Sequence, residues 1–112
     1  MQNNLDLNKE ISFESFKKEV LLDYKLIVLS REASLLGRRE VLSGKAKFGI
    51  FGDGKELPQI ALAKVFQNGD FRSGYYRDQT FMMAIDELNI KQLFSGLYGN
   101  TNLNEEPMSG GR

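Results

Sequence analysis

Ser12-Phe-Glu-Ser-Phe-Lys-Lys-Glu-Val-Leu-Leu-Asp-Tyr-Lys-Leu-Ile-Val-Leu-Ser-Arg-Glu-Ala-Ser-Leu-Leu-Gly-Arg-Arg-Glu-Val-Leu-Ser-Gly44 is a long stretch of one periodicity, and it sets the fold class. Apolar residues return at helical spacing: Phe13, Phe16, Val20, Tyr24 and Ile27 form one stripe, and Leu22, Leu26, Leu29 and Ala33 a second. Ser12 is placed to cap the first turn, and Glu14 lies where the helix dipole favours an acid. The pattern runs on through Leu35, Leu36, Val41 and Leu42, with Gly37 a weak point and Gly44 the stop. Two adjoining stripes predict a helix buried over much of its circumference and gripped by more than one neighbour. Such a helix would reach roughly 45 Å, more than a chain of this length comfortably covers. It is therefore expected to serve a larger body.

Working outward, Gly44 to Gly54 is rich in glycine and lacks periodicity, which predicts a loop carrying two exposed aromatics, Phe48 and Phe51. A second helix is expected over Lys55 to Gln67, with Ile60, Ala63, Lys64 and Phe66 following its turns and small Ala61 and Ala63 permitting close packing. Asn68-Gly69-Asp70 is a turn signal that ends it. Thr80 to Ile85 reads as a short helix. Asn89, with Gln92 in the reciprocal capping-box position, opens a last one that turns Leu93, Phe94 and Leu97 inward and closes at Gly99-Asn100. Phe71 to Tyr75 could pair as one short edge strand, and no other strand signal appears. The reading is a mainly α chain, with residues 1–11 a flexible polar lead-in, residues 12–112 one structural unit, and a polar tail ending in Gly110-Gly111-Arg112.

Composition narrows the chemistry. The 112 residues carry 15 basic and 15 acidic side chains, and 41% are hydrophobic. That amounts to one domain with a modest core and none of the basic excess expected of a nucleic-acid binder. There is no cysteine, which removes disulfides and thiolates. Histidine is absent too, so any proton transfer must come from carboxylates, lysines, a cofactor or another chain. The N-terminus lacks a signal-peptide pattern and no apolar run is long enough to span a bilayer. A soluble, cytoplasmic chain that binds neither nucleic acid nor membrane is expected.

Phe71-Arg-Ser-Gly-Tyr-Tyr-Arg-Asp-Gln-Thr-Phe-Met-Met83 concentrates the candidate chemistry. Between Gly69 and an apolar run, Tyr75, Tyr76, Arg77 and Asp78 stand in consecutive positions. Arginine offers a planar fork of donors to a phosphate or carboxylate, and tyrosine a hydroxyl on a rigid plate. One wall of an anion pocket would look like this. An aromatic pair packed on the core beside a solvated Arg77–Asp78 pair would look the same. Gly49-Ile-Phe-Gly-Asp-Gly54-Lys55 matches the G-x-x-x-x-G-K spacing of a phosphate-binding loop, but Glu56 replaces the Ser or Thr that would hold magnesium. A favourable acid at a helix start explains Glu56 better.

Taken in order, Gly44-Lys-Ala-Lys-Phe48, Gly54-Lys-Glu56, an alanine-rich helix, Gly69-Asp70, Tyr75-Tyr76-Arg77-Asp78, Leu93 to Leu97 and the closing Gly111-Arg112 resemble a known family. It is the α-subunit region of the thiamine-diphosphate-dependent 2-oxo acid dehydrogenases, closest in pattern to the branched-chain 2-oxoisovalerate and bacterial α/β-fused members. The resemblance covers about residues 20–112. It implies the helical N-terminal portion of a larger α/β thiamine-diphosphate-binding fold, truncated at Arg112, whose parent decarboxylates a branched-chain 2-oxo acid and passes the acyl group to lipoamide. Tyr76 and Arg77 match the family's pair that contacts the cofactor diphosphate. Phe48, with Tyr76, falls where the substrate pocket is lined, and Glu56 matches a structural position. Thiamine diphosphate and Mg2+ are the implied cofactors, with the metal ligands, the proton-handling histidines and the activating glutamate all outside this chain. Catalytic and metal-ligating residues are therefore expected in none of its positions. Gly52-Asp53-Gly54 imitates part of the magnesium motif in the wrong place. Implied partners are a β subunit or fused β half, a lipoyl-bearing acyltransferase and further copies in a homo-oligomer. A small helical interaction module without catalysis, its two-striped helix serving dimerisation, is the other reading of the same residues.

Overall fold

The computed structural model describes residues 10–106. Its first helix, α1, runs Phe13–Leu42 and sets the long axis of a body measuring 50 × 28 × 20 Å. Its ends are fixed by local chemistry. The Ser12 hydroxyl accepts from the Ser15 amide at 3.2 Å, satisfying a donor that the first turn leaves without a partner. At the other end Gly44 adopts φ +80°, a conformation that side chains disfavour, and the chain leaves the helix there.

What α1 buries differs from the expectation. The enclosed face is Ser30, Ala33, Ser34 and Gly37, while Phe13, Phe16, Val20, Leu22, Tyr24 and Leu29 of the two apolar stripes are exposed; Leu26 and Ile27 are half-buried. The small face wins because it lets other elements approach the helix closely. Gly37 is a docking point and not a weak point: a Cβ there would sit 2.5 Å from Phe51 Cε1, so the Phe51 ring, expected in solvent, packs on bare backbone. The radius of gyration is 15.8 Å, against ~13 Å for a compact chain of this size. The excess comes from α1, whose residues are all exposed as far as Leu22.

Three shorter helices flank it: α2 (Glu56–Val65), α3 (Gln79–Ala84) and α4 (Ile90–Leu97). α2 and α3 pack on each other and on α1, and α4 lies against the C-terminal part of α1. The expected capping box is present, with Asn89 Oδ1 accepting from the Gln92 amide and Gln92 Oε1 accepting from the Asn89 amide. Among the described residues there is no strand, so Phe71 to Tyr75 is loop. The chain is mainly α, as its periodicities predict. The lead-in at residues 1–9 and the closing Gly110-Gly111-Arg112 lie outside the described residues.

Polar side chains lock the elements together. Gln79 Nε2 donates to the Ser30 carbonyl at 3.1 Å and to Ser34 Oγ at 2.8 Å, and the Ser30 and Thr80 hydroxyls bond at 2.6 Å. Arg31 grips buried Glu56 with two bonds, Nε to Oε1 at 2.6 Å and Nη2 to Oε2 at 2.9 Å. Lys64 of α2 reaches both Glu19 and Asp23 of α1, at 2.6 and 3.0 Å. Tyr98 donates to Glu40 at 2.7 Å, tying the end of α4 to α1.

Two outcomes follow from this packing. Alanine for glycine inside a solvated helix gains about 1 kcal/mol, but Gly37→Ala drives a methyl into Phe51 and is expected to cost about 1–3 kcal/mol. Urea unfolding reads the sign directly, and a stabilised variant would mean that Phe51 does not hold this position. The Arg31 hydrogen bonds keep the Glu56 carboxyl below the usual carboxylate range in spite of burial, which alone would raise it. Because the folded value lies below the unfolded one, this stabilisation is complete above the ordinary glutamate pKa and is lost as pH falls through the folded value. Stability should climb with pH across that acid window, and Glu56→Gln should flatten the climb. Parallel curves for the two proteins would rule out Glu56 as its source.

Candidate functional site

Between the loops at either end of α2 and the inner face of α4 lies a cavity of about 390 Å3. Phe48, Phe51, Tyr75 and Tyr76 give it aromatic walls, and Met82, Leu88, Leu93 and Leu97 give it an aliphatic floor. Polar atoms enter from Arg72 and Asp78. An apolar chamber with a few convergent polar groups is the usual form of a small-molecule site.

Asp78 organises the loop that forms one wall. Its Oδ2 accepts from Arg72 Nη1 and, at 2.9 Å, from the Tyr75 amide. The Asp78 amide in turn donates to the Tyr75 carbonyl at 3.1 Å, closing a tight turn over Tyr76 and Arg77. From α2, Gln59 clamps the same turn, with Nε2 donating to the Arg77 carbonyl at 2.9 Å and Oε1 accepting from the Phe81 amide at 3.0 Å. Gly52 lies so close to the Arg77 carbonyl that any side chain there would collide with it. The turn is thus held from three directions.

Within it the two tyrosine rings stack, centroids 4.1 Å apart, and the Tyr75 hydroxyl donates to Tyr76 at 2.8 Å. That bond pushes the Tyr75 hydroxyl pKa up, so it keeps its proton.

The two arginines face different surroundings. Arg72, which the sequence did not single out, lines the cavity, paired with Asp78 and lying 5.2 Å from the centroid of Phe81. Arg77 does not line it. Its guanidinium lies over the Tyr76 ring, 5.6 Å from the centroid, and among the described residues it has no ion-pair partner. The alternative of an Arg77–Asp78 surface pair is corrected, because Arg72 holds Asp78. Phe48 and Tyr76, the expected substrate-lining residues, do meet at the cavity. Arg72 stands six positions before its partner and Gly74 lets the chain fold back between them, a link that no local motif signals.

The P-loop-like segment has its backbone donor engaged from within. The Gly54 amide donates to Glu56 Oε2 at 2.9 Å, so a carboxylate from the chain itself occupies the position an anion would need. Asp53 of the Gly52-Asp53-Gly54 imitation pairs with Arg38 at 2.5 Å. Among the described residues no group of three or more acidic side chains could hold a metal ion. No protein-family model, curated protein or solved structure matches the chain.

If Asp78 sets the turn, Asp78→Ala should release the Tyr75 amide. Hydrogen exchange at that amide is expected to quicken about tenfold, equivalent to one net hydrogen bond of ~1.4 kcal/mol. Asp78→Asn keeps an acceptor oxygen and should stay nearer the parent. An unchanged Tyr75 rate in Asp78→Ala would assign the turn to Gln59 and Gly52 alone.

Proposed function

We propose that this chain is the cofactor-clasping segment of a thiamine-diphosphate-dependent 2-oxo acid dehydrogenase of the branched-chain type, within a larger α/β fold. The observation that carries the reading is an unpaired guanidinium over Tyr76, beside a largely apolar cavity bordered by Phe48 and Tyr76. Arg77 has its donor fork free for the cofactor diphosphate, and the Tyr76 ring holds it in place. Phe48 supplies a wall for the branched substrate chain. When bound, thiamine diphosphate would stabilise the carbanion that follows decarboxylation. Residues of this chain would only bind and orient. Magnesium finds no cluster of three candidate ligands among the described residues, and in this reading its ligands lie outside this segment, with the activating glutamate on the β subunit or fused β half. A lipoyl-bearing acyltransferase would take the acyl group, homo-oligomeric assembly is expected, and the setting would be cytoplasmic.

The reading of a non-catalytic interaction module has its own support in the exposed apolar face of α1. Cofactor affinity separates the two. Thiamine diphosphate with Mg2+ is titrated calorimetrically into the native assembly recovered through a tag on this chain. A charge-assisted bond from Arg77 contributes about 1.5–3 kcal/mol, so Arg77→Ala should raise the apparent Kd by about 10- to 150-fold. Arg77→Lys should recover only part, because a point charge replaces the fork. Parental affinity in Arg77→Ala, or no affinity in the parent assembly, would overturn the reading.

A further inference from the structure

The first half of α1 stands out from the body with its charges sorted by side. Glu19 and Asp23, which face α2, are both drawn to Lys64. Lys17, Lys18 and Lys25 are exposed and, among the described residues, have no ion-pair partner. Between two of these lysines lies an open depression of about 390 Å3, lined by Lys18, Leu21, Leu22, Tyr24 and Lys25. On the same side of the helix Phe13 is 73% exposed and Tyr24 63%, and Val28 and Leu29 are exposed as well, while Phe16 and Val20 are exposed further round its circumference.

Aromatic side chains present ~150–250 Å2 each, so this face leaves several hundred Å2 of apolar surface in solvent. That is the order of the ~800 Å2 that a specific partner covers on each side. Such an area marks a contact surface and not a solvated helix. Phe13, Leu21, Tyr24 and Val28 share the side of α1 turned away from buried Ser30, Ala33 and Ser34, an apolar stripe along which a second helix can lie, with Lys18 and Lys25 at its edge.

We propose that the outer face of α1, Phe13 to Leu29, docks an amphipathic helix of a partner polypeptide whose apolar stripe is flanked by acidic residues. The charge pattern selects this occupant. Two copies of the chain laid face to face would bring Lys17, Lys18 and Lys25 against their own kind, with Glu14 the one acid among them on this face. A membrane surface is the poorer fit, since three lysines at ~1 kcal/mol each bind weakly. Acidic flanks on a partner helix would meet Lys18 and Lys25 at the rim of the contact, where complementary charge gives specificity and speed of association. The inference is independent of the cofactor reading, since the face shares no residue with the cavity.

The test uses the full chain and designed probes: one helical peptide with a leucine stripe flanked by glutamates, its twin flanked by lysines, and vesicles of phosphatidylserine with phosphatidylcholine. Fluorescence titration is expected to favour the acidic peptide about tenfold or more over its twin. Lys18→Glu with Lys25→Glu should reverse that order while the thermal melt is unchanged, both sites being solvent-facing. Leu21→Ser with Leu22→Ser should abolish binding of both peptides. Equal affinity for the two peptides, binding of neither, a preference for the vesicles, or sedimentation as a dimer through this face would each overturn the proposal. None of these results alters the Arg77 titration, so the two claims fail separately.

Discussion

The structure depends on how closely α3 can approach α1. Ser30, Ala33, Ser34 and Gly37 present almost no side chain on the face where α3 and the Phe51 ring rest. Contact that close puts backbone and hydroxyl groups out of reach of water, and Gln79 answers with one amide that serves the Ser30 carbonyl and the Ser34 hydroxyl. The Ser30–Thr80 bond satisfies the remaining hydroxyls, and among the described residues no buried side-chain polar atom lacks a partner. Thr80 and Gln79 begin the helix that follows Asp78. A shift of α3 would therefore carry the whole Tyr75–Asp78 turn with it.

That dependence explains what could and could not be read from the residues. Helix positions were legible because they are set locally: Ser12, Gly44 and the Asn89–Gln92 box each act within four residues. The buried face of α1 was not. Hydrophobic periodicity identifies the apolar side of a helix, and here that side faces solvent while the small polar side is enclosed. An apolar stripe that faces solvent breaks the assumption that the core of a chain lies on that stripe. The small stripe at Ser30, Ala33, Ser34 and Gly37 was visible in the sequence, but its meaning required Gln79, more than forty positions away.

The candidate site divides along the same line. Phe48 and Tyr76 were expected to share a pocket and they border one cavity. The role of Asp78 was hidden, since a neighbour in sequence, Arg77, seemed its natural partner. Geometry favours Arg72, whose long side chain returns across Gly74 to meet Asp78 and the Phe81 ring together. With the carboxylate engaged there, the Arg77 fork stays uncommitted. One ion pair thereby decides which of the two arginines is left without a charged partner among the described residues.

Glu56 makes a parallel choice in the glycine-rich loop. Backbone amides ahead of a helix attract anions, and this loop has the spacing to offer them. Glu56 folds back onto the Gly54 amide and takes Arg31 as its counter-charge, so the loop satisfies itself. The carboxylate is fixed, buried and held below its ordinary pKa by that guanidinium, which leaves the helix start no vacancy for phosphate. In the loop bordering the cavity, the cation without an ion-pair partner among the described residues is Arg77. The same glycine-rich loop sets Gly52 close against the Arg77 carbonyl, so it packs on the turn that carries Arg77.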